Sequence, residues 1–404
     1  MAGTVLLLGT FDTKGHEYAF VRDRLRELDV AVLLVDTGIL DPVGVEPDVA
    51  RGAVADAGGA RVEELASAGD RGAAVDAMAR GAPVLVRRLF DEGRFDGILA
   101  LGGSGGTSIA TAAMRDLPVG VPKLMVSTMA AGDTRPYVGA TDLTMMASVV
   151  DIAGVNSVSA RIMTNAAGAI AGMVGARAPD LAHRKVIAAT MFGVTTPCVT
   201  RARELLDELG YEVLVFHATG TGGQAMEVLA SDGYLAGVLD ITTTELADDL
   251  IGGVLSAGPD RLEAAGRSGI PQVVSLGALD MVNFGPRDTV PERFEQRRLY
   301  VHNPTVTLMR TTPEECAELG RRIGRKLSAA RGPTVLFVPL RGVSMIDVEG
   351  QPFHDPVADR ALIEGVREML DGSVEVRELD TDINDERFAT AMAHRLHELV
   401  TETI

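Results

Sequence analysis

Gly102-Gly-Ser-Gly-Gly-Thr107 is the group of residues in this chain whose types and spacing most clearly could do chemistry. It follows the apolar run Phe95–Leu101 and precedes a helix of small residues, where unpaired backbone N–H groups and the helix dipole attract anions. The glycines allow a phosphate to approach the backbone, and the hydroxyls of Ser104 and Thr107 add donors. No lysine follows them as in a Walker A loop. The segment therefore predicts a phosphate-binding turn of another kind.

The same six residues also read as G-x-S-x-G, which would make Ser104 a hydrolase nucleophile on a strand–turn–helix. Such a serine needs a histidine as its base, and the candidates are His302 and, with less support, His217 or His16. Four glycines around the serine favour the phosphate-binding interpretation, and the nucleophile stays as an alternative. A tight turn without any ligand is the third interpretation.

A second polar segment, Gly9-Thr-Phe-Asp-Thr-Lys-Gly15, follows the first apolar run of the chain. Lys14 is one of only four lysines, and a compact ammonium suits a phosphate oxygen. Thr10 lies beside it, and Asp12 is a candidate ligand for Mg²⁺ through water. The alternative is a helix start, with Asp12 or Thr13 satisfying backbone donors.

Other polar residues follow later apolar runs. Thr128 and Asp133 follow the run Lys123–Ser127. Thr128 is a candidate cofactor-binding residue, and Asp133 is a candidate metal-side carboxylate or a helix cap. In the second half of the chain Asp240 and Glu245 form a candidate pair for acid–base chemistry or metal binding. His302 and Arg341 are candidate catalytic residues, and the Arg341 guanidinium offers a fork for a carboxylate or phosphate.

Apolar runs that alternate with helical patterns are the elements that must position these residues. Such alternation predicts an α/β fold in which helices cover both faces of parallel sheets. The pattern restarts near residue 185, so we expect two doubly wound, Rossmann-like domains, 1–180 and 181–404, with a site in an interdomain cleft. The intervening stretch 144–178 is rich in small residues and predicts closely packed helices at a domain or dimer interface. Residues 41–80 predict a surface excursion with one helix.

Composition limits the class of protein. There are 38 lysines and arginines against 56 aspartates and glutamates, which gives a formal charge of −18. A field of that sign disfavours nucleic acid and anionic membranes as partners. The two cysteines build neither a disulfide framework nor a zinc site, and neither a signal peptide nor an 18-residue apolar run is recognisable. The sequence thus predicts a cytoplasmic protein with no membrane span.

Four separated motifs give the chain a family resemblance: Leu7–Gly15, Leu101–Thr107, His302–Thr307 and Pro339–Ser344. Together they resemble a largely uncharacterised bacterial and fungal family. The best-known relative of that family is the N-terminal, ATP-binding domain of the plant tobamovirus-resistance protein, an inhibitor of viral RNA replication. The resemblance implies two Rossmann-like domains, ATP binding and a homodimer or higher homo-oligomer; viral inhibition is not carried over.

Carried over position by position, the resemblance implies a set of residues on the phosphate side of an ATP site. These are Thr10, Asp12, Lys14, Gly103, Ser104, Gly105, Gly106 and Thr107. Where the family pattern suggests His-Ile-Asn-Asp, this chain has Asp382-Ile-Asn-Asp385, which removes support for a role there.

Three functions follow as hypotheses, and the sequence leaves open whether the protein is an enzyme. The first is an ATP-binding protein that uses Mg²⁺, with a small acidic substrate facing His302 and Arg341. The second is a hydrolase or lyase for an acyl or keto-acid substrate, using Ser104 as nucleophile or His302 as base. The third is a nucleotide sensor without catalysis.

Overall fold

The computed structural model describes residues 2–177, 179 and 184–402 of the chain. The chain divides into two compact units, Met1–Asp180 and Leu181–Ile404. The predicted boundary between residues 180 and 181 lies outside the described residues, as does Ala178 at the end of the predicted small-residue stretch.

The first unit alternates strands with helices along its described residues. In chain order its elements are β1 (Ala2–Gly9), α1 (Phe11–Glu27), β2 (Val30–Asp36), α2 (Arg51–Ala57), α3 (Val62–Ala68), α4 (Arg71–Asp91), β3 (Gly97–Gly102), α5 (Ser104–Arg115), β4 (Lys123–Ser127), α6 (Arg135–Val138), β5 (Thr144–Ala147) and α7 (Ser159–Gly175).

The five strands form one parallel sheet in the order β2-β1-β3-β4-β5. Successive side chains of a strand point to opposite faces, so β1 supplies both layers. Leu6 and Leu8 pack in the core with α2, α4 and α5, whereas Val5 and Leu7 pack with α1 and α7. Both faces of the sheet are therefore covered by helices, which explains why its strands are apolar throughout.

The strand order reverses between β1 and β3, which are neighbours in the sheet although β2 lies between them in sequence. The chain leaves β1 toward one side to reach β2 and leaves β3 toward the other side to reach β4. The segments that follow β1 and β3 therefore diverge and open a crevice, the place where open α/β sheets bind ligands.

The second unit repeats this alternation on a larger scale. Its described elements are β6 (Val186–Met191), α8 (Thr196–Glu208), β7 (Glu212–His217), α9 (Thr221–Ser231), β8 (Gly237–Thr242), α10 (Glu245–Ile251), α11 (Ala264–Ser268), β9 (Gln272–Gly277), β10 (Met281–Phe284), β11 (Leu299–Asn303), β12 (Val306–Arg310), α12 (Pro313–Ser328), β13 (Thr334–Pro339), α13 (Pro356–Met369), β14 (Glu375–Leu379) and α14 (Glu386–Glu402).

Six of these strands form a second parallel sheet in the order β14-β13-β9-β8-β6-β7. The other three form a small antiparallel sheet in the order β10-β12-β11. The predicted α/β class with two doubly wound, parallel-sheet units is thus confirmed, and the small sheet is an addition to it.

Three local predictions need correction. Residues 144–147 form the edge strand β5 instead of a helix, and one helix, α7, follows it. Residues 41–80 hold α2, α3 and the start of α4 instead of one helix. Most of the segments Gly9–Gly15 and Gly102–Thr107 is helical, because α1 already begins at Phe11 and α5 at Ser104. The sequence does not indicate this edge strand, because Thr144-Met-Met-Ala lacks the continuous Val and Ile of a central strand.

Among the described residues, no helix is both long enough and apolar enough to span a bilayer.

Candidate functional site

The segment after β1 turns directly into α1. Thr10 is the N-cap residue of that helix, and its carbonyl accepts hydrogen bonds from the N–H groups of Thr13 and Lys14 at 3.3 and 2.9 Å. Lys14 departs from helical geometry at φ −130°, ψ 19°. Its ammonium donates to the carbonyl of Ile152 at 2.5 Å, which ties this first turn to the segment after β5.

Asp12 and Asp36 hold the segment that follows β2. The Asp12 Oδ2 accepts from the N–H groups of Ile39 and Leu40 at 3.0 and 3.1 Å. The Asp36 Oδ1 accepts from the N–H groups of Phe11 and Gly38 at 3.0 and 2.8 Å, and burial raises the pKa of this carboxyl. The other oxygen of each carboxylate, Asp12 Oδ1 and Asp36 Oδ2, is buried without a partner in the part of the chain that the structure describes.

The segment after β3 is a glycine turn that leads into α5. Gly103 is the N-cap residue, and its carbonyl accepts from the N–H of Thr107 at 2.8 Å. The N–H groups of Ser104, Gly105 and Gly106 lie in the first helical turn, where no preceding carbonyl is available to them. Amides at a helix start, with the positive end of the helix dipole, attract anions in general. That this turn binds a phosphate stays a prediction.

The glycines of this turn differ in what they allow. A Cβ on Gly102 would lie 3.0 Å from the Cα of Gly106, so that glycine is required for the turn itself. A Cβ on Gly103 would have only the Thr128 hydroxyl nearby, at 3.7 Å, and one on Gly106 only the Leu101 carbonyl, at 3.6 Å. Gly103 and Gly106 are therefore not needed for packing, which fits a requirement imposed by a ligand.

Thr107 lies behind the turn instead of facing the crevice. Its side chain is fully buried, and its Oγ1 lies 2.7 Å from the Ser127 Oγ at the end of β4. The Ser127 Oγ also accepts from the N–H of Met129 at 2.9 Å. These hydroxyls join the ends of β3 and β4, so we assign Thr107 to the support of the turn.

Both predicted segments line one cavity of about 690 Å³ in the first unit. This volume is within the range of small-molecule sites. The lining residues come from the segments after β1, β2, β3 and β5 and from α3, α4 and α5. They are Thr10, Asp12, Thr13, Lys14, Thr37, Gly38, Ile39, Leu40, Ala66, Gly69, Arg71, Ala74, Val75, Met78, Gly103, Ser104, Gly105, Gly106, Ile109 and Asp151.

The lining of this cavity includes two cations, two carboxylates (Asp12 and Asp151) and a set of apolar side chains. Lys14 and Arg71 supply positive charge beside the glycine turn, and Arg71 is exposed, with no hydrogen bond or ion pair of its side chain to another described residue. The apolar side of the cavity is lined by Ile39 and Leu40 from the segment after β2 and by residues of α4 such as Val75. A ligand with a polyanionic end and a flat apolar end matches this division.

Sequence reasoning missed Arg71, Asp151 and the apolar side of the cavity. Arg71 is the first residue of α4, after the N-cap Asp70, and that helix start is the only local signal it carries. Its position beside the glycine turn depends on how α4 packs against α5, a tertiary contact that no spacing reveals.

A smaller cavity of about 320 Å³ lies at the ends of β4 and β5. Thr128 lines it, and the Thr128 N–H donates to the Gly102 carbonyl at 3.2 Å, beside the glycine turn. Asp151 lines both cavities.

Asp133 lines neither cavity: its carboxylate accepts from the Arg135 guanidinium at 2.9 and 2.7 Å, and this pairing lowers its pKa to about 2.

Asp240 and Glu245 do not form an exposed carboxylate pair. Both are fully buried in the second unit, where the Arg261 guanidinium donates to Asp240 at 2.5 and 2.7 Å and to Glu245 at 2.7 Å. Glu245 also accepts from the N–H groups of Gly220 and Gly223, and burial raises its pKa. Arg261, which lies in an irregular segment after α10, makes this cluster an ion-pair network of the core.

His302 and Arg341 both belong to the second unit and both are exposed. His302 lies on β11, with its ring 6.5 Å from that of Tyr300. The Arg341 guanidinium donates two hydrogen bonds of 2.6 Å to Asp380, so its fork is already paired. Among the described residues, no group of three or more His, Cys, Asp or Glu is arranged to hold a metal ion.

Ser104 is exposed and lines the larger cavity, but none of the described residues of that lining is a histidine. The first unit contains a single histidine in its sequence, His16, which is exposed and lies against Gly44. The arrangement thus favours binding of an anion by the turn over nucleophilic attack by Ser104.

Comparison with known proteins gives two family matches that together span nearly the whole chain. Residues 3–179 match the N-terminal domain and residues 184–400 the C-terminal domain of the uncharacterised protein family UPF0261. A UPF0261 protein of Clostridium tetani is 53% identical over 394 residues, covering 97% of this chain and 98% of that protein.

The ToMV resistance protein Tm-1(GCR237) of Solanum lycopersicum is 43% identical over 337 residues. The match covers 81% of this chain but only 45% of the tomato protein. Among solved structures, the UDP-GlcNAc 2-epimerase of Neisseria meningitidis aligns with 90% of this chain and 99% of its own at 11% identity, with a TM-score of 0.24, too low to support an argument.

Proposed function

The chain belongs to the uncharacterised protein family UPF0261, and we propose that its first unit binds ATP in the larger cavity. The triphosphate lies on the turn Gly103–Gly106, between Lys14 and Arg71. The adenine and ribose lie against the apolar side formed by Ile39, Leu40 and Val75.

The main support for this proposal is that the segments Gly9–Gly15 and Gly102–Thr107, each predicted to bind phosphate, line the same cavity. The turn after β3 and the start of α1 after β1 line a single cavity at the point where the strand order reverses. Backbone amides at a helix start and two cations suit phosphate oxygens, although the protein as a whole carries a charge of −18.

Asp12 is the residue that we propose to hold Mg²⁺. Magnesium in nucleotide sites is usually bound by one or two carboxylates together with phosphate oxygens and waters. Asp12 lines the cavity, and its buried Oδ1 lacks a partner among the described residues, so that oxygen has unused capacity to bind a cation. The ion would neutralise charge on the bound phosphates. Asp133 does not line this cavity, and its carboxylate is paired with Arg135, so we do not include it in the metal site.

A titration with related ligands tests the proposal. We expect Mg-ATP to bind with 1:1 stoichiometry, ADP more weakly, and AMP and adenosine very weakly, because the turn and the two cations contact the phosphates. Isothermal titration calorimetry of the full chain with each ligand, with and without Mg²⁺, gives these values. Binding of adenosine as tight as that of ATP would contradict the placement of the phosphates.

The variant Asp12→Asn tests the metal. An amide oxygen can keep the hydrogen bonds to Ile39 and Leu40, while the negative charge is lost. We expect the affinity for ATP to become nearly independent of Mg²⁺ in this variant. Asp133→Asn, whose carboxylate is paired at the surface, is the matched control; equal Mg²⁺ dependence in wild type and Asp12→Asn would remove Asp12 from the metal site.

The small acidic substrate beside His302 and Arg341, the hydrolase alternative with Ser104 and the sensor without catalysis all remain predictions from the sequence. Labelling of Ser104 by a serine-reactive phosphonate in the folded protein would favour the hydrolase, since a phosphate-binding serine is not activated for attack.

A further inference from the structure

The smaller cavity at the ends of β4 and β5 adjoins the proposed nucleotide site. Its lining consists of Ser127, Thr128, Ala131, Ala147, Ser148, Val149, Val150 and Asp151. Thr128 connects the two places, because a Cβ built on Gly103 would lie 3.7 Å from the Thr128 Oγ1. The two cavities are therefore on either side of one contact between the glycine turn and Thr128.

Ser148 is an unpartnered polar residue in this lining. It is only 4% exposed, its N–H donates to the Ser127 carbonyl at 3.1 Å, and its Oγ has no hydrogen-bond partner among the described residues. A buried hydroxyl without a partner costs free energy unless something satisfies it. A polar group of a ligand in the cavity would supply that partner.

The backbone beside Ser148 is strained in the same place. Val149 has a φ of +63°, a conformation that branched residues rarely adopt, and its side chain is 81% exposed. The Val150 N–H donates to the Ser148 carbonyl at 2.6 Å, which closes a tight turn around Val149. Strain of this kind persists where the surrounding structure requires it, and it is concentrated at functional sites.

The charge of the lining restricts the ligand. Its only ionisable side chain among the described residues is Asp151, and no cation balances it. No cation of this lining can hold an anionic ligand, whereas an uncharged ligand with hydroxyl groups can bond to Thr128, Ser148 and Asp151. A volume of about 320 Å³ limits it to a small molecule.

Asp151 is placed to act on such a hydroxyl. Its Oδ1 accepts from the Ile152 N–H at 2.8 Å, which fixes the carboxylate, and the side chain lines both cavities. In phosphoryl transfer an aspartate commonly accepts the proton of the attacking hydroxyl. A carboxylate shared by a nucleotide cavity and a hydroxyl-lined cavity suits that task.

We propose that the smaller cavity binds a small uncharged alcohol or polyol, which receives the terminal phosphoryl group of ATP with Asp151 as the general base. This inference rests on the proposed ATP site. The O–H bond of the alcohol breaks and its proton passes to Asp151. The alcohol oxygen forms a bond to the γ-phosphorus, and the bond from that phosphorus to the bridging oxygen of ADP breaks. The products are a phosphate monoester and ADP, and no oxidant or reductant takes part.

The test measures ADP formation by the full chain with saturating Mg-ATP, with glycerol or erythritol as the probe. We expect at least one of the two to raise the rate of ADP formation tenfold or more over Mg-ATP alone. Asp151→Asn should lower the stimulated rate by at least about a hundredfold, the usual contribution of a general base. Its amide oxygen can still accept from the Ile152 N–H, so folding should be preserved.

Ala131→Leu gives an independent test, because it places a larger side chain at an exposed position of the smaller cavity. We expect it to abolish glycerol or erythritol stimulation and to leave the Kd for ATP within about twofold. Ala176→Leu, at an exposed position that lines neither cavity, is the matched control. Saturation-transfer NMR of the same probe with a non-hydrolysable ATP analogue should lose its signal in Ala131→Leu and keep it in Asp151→Asn.

Two failures are distinguishable in this experiment. If ATP binds but neither probe raises ADP formation, or if Ala131→Leu leaves the stimulation intact, the assignment of the smaller cavity is overturned while the ATP site stands. If calorimetry detects no ATP binding, the proposed function fails and this inference fails with it.

Discussion

Lys14 and Arg71 both line the larger cavity, but the structure holds them differently. The Lys14 ammonium is fixed by its hydrogen bond to the Ile152 carbonyl. The Arg71 side chain is exposed, without a hydrogen bond or ion pair to any other described residue. Lys14 therefore contributes to the local structure as well as to the charge, and Arg71 is the cleaner residue with which to test the charge.

We expect Arg71→Ala to weaken ATP binding by about tenfold, close to 1.4 kcal/mol, because a charge-assisted contact to phosphate is lost. The loss should be smaller at high salt, which screens the remaining charges. Calorimetry at low and high ionic strength measures both effects. Arg88→Ala, which removes an exposed arginine from the other end of α4, is the control, and an equal loss in that variant would exclude a specific role for Arg71.

At the residue scale the sequence was informative where a motif is local. Thr10, Asp12, Lys14 and Gly103–Gly106 all line one cavity, as the strand-end positions of their segments suggested. Thr107 was the exception, since only the fold shows that it points back to Ser127. The sequence predicts a pair for acid–base chemistry or metal binding at Asp240 and Glu245, because it does not reveal that Arg261 is their partner in the fold.

At the scale of elements, a buried carboxylate joins α10 to β10 in the second unit. Asp248 accepts from the Asn283 N–H at 3.1 Å and from the Asn283 Nδ2 at 2.7 Å, and burial raises its pKa to about 7. The Asn283 Oδ1 is buried without a partner among the described residues. The charged carboxylate is thus disfavoured in the folded protein relative to the unfolded chain.

This raised pKa makes stability fall as pH rises. The folded protein keeps the proton of Asp248 up to about pH 7, whereas the unfolded chain releases it near pH 4, so stability is lost between these values. From pH 5 to pH 8 the loss attributable to Asp248 is on the order of 2–3 kcal/mol. We expect Asp248→Asn to remove most of that loss, since a turned Asn283 amide can accept from the new amide.

Urea denaturation at pH 5 and pH 8 measures this difference. Asp260→Asn, at an exposed carboxylate of the same unit, is the control and should leave the pH dependence unchanged. An Asp248→Asn variant with the pH dependence of the wild type would contradict the assignment of the raised pKa to this carboxyl.

Central elements were predictable and peripheral ones were not. Lys123–Ser127 has the predicted bounds, because a largely apolar run marks a strand buried on both faces. The strands of the small antiparallel sheet are only four or five residues long, and they carry polar residues such as His302 and Asn303. The sequence therefore marks His302–Thr307 as a motif and does not reveal that its ends belong to two strands.

At the scale of the whole molecule, the two units share a strand order but differ where that order reverses. Read from β7, the second sheet runs β7-β6-β8-β9-β13-β14, which repeats the order of the first sheet with one strand added. Its reversal lies between β6 and β8, and the segments that follow these strands carry four fully buried threonines: Thr195, Thr242, Thr243 and Thr244. The hydroxyls of Thr195 and Thr242 lie 2.7 Å apart.

This difference predicts where ATP protects the backbone. We expect Mg-ATP to slow amide hydrogen exchange in residues 9–15, 37–40 and 103–107, because ligand binding lowers the population of locally open states. Residues 192–196 and 243–245, at the corresponding place in the second unit, should be unaffected. Hydrogen-exchange mass spectrometry with and without Mg-ATP tests this, and protection confined to the second unit would place the nucleotide elsewhere.

The formal charge of −18 predicts a property of the whole surface but not the position of a binding site. It disfavours polyanionic partners at the surface, but it did not locate the cations beside the glycine turn. The pattern of the strands indicated two units, while the existence and shape of each cavity depend on contacts between distant segments. A homodimer or higher homo-oligomer, and a domain or dimer interface at residues 144–178, remain predictions.

The most direct test of the proposed ATP site is calorimetry of Mg-ATP with wild type, Gly103→Ala and Gly172→Ala. A Cβ on Gly103 meets only an ordinary contact with Thr128, and one on Gly172, exposed on α7, meets no neighbour within 4 Å. Both variants should therefore fold. We expect saturable binding in wild type and Gly172→Ala and an affinity at least tenfold weaker in Gly103→Ala, because its new methyl group occupies the place of phosphate. Equal affinity in all three proteins, or no binding by the wild type, would contradict the account.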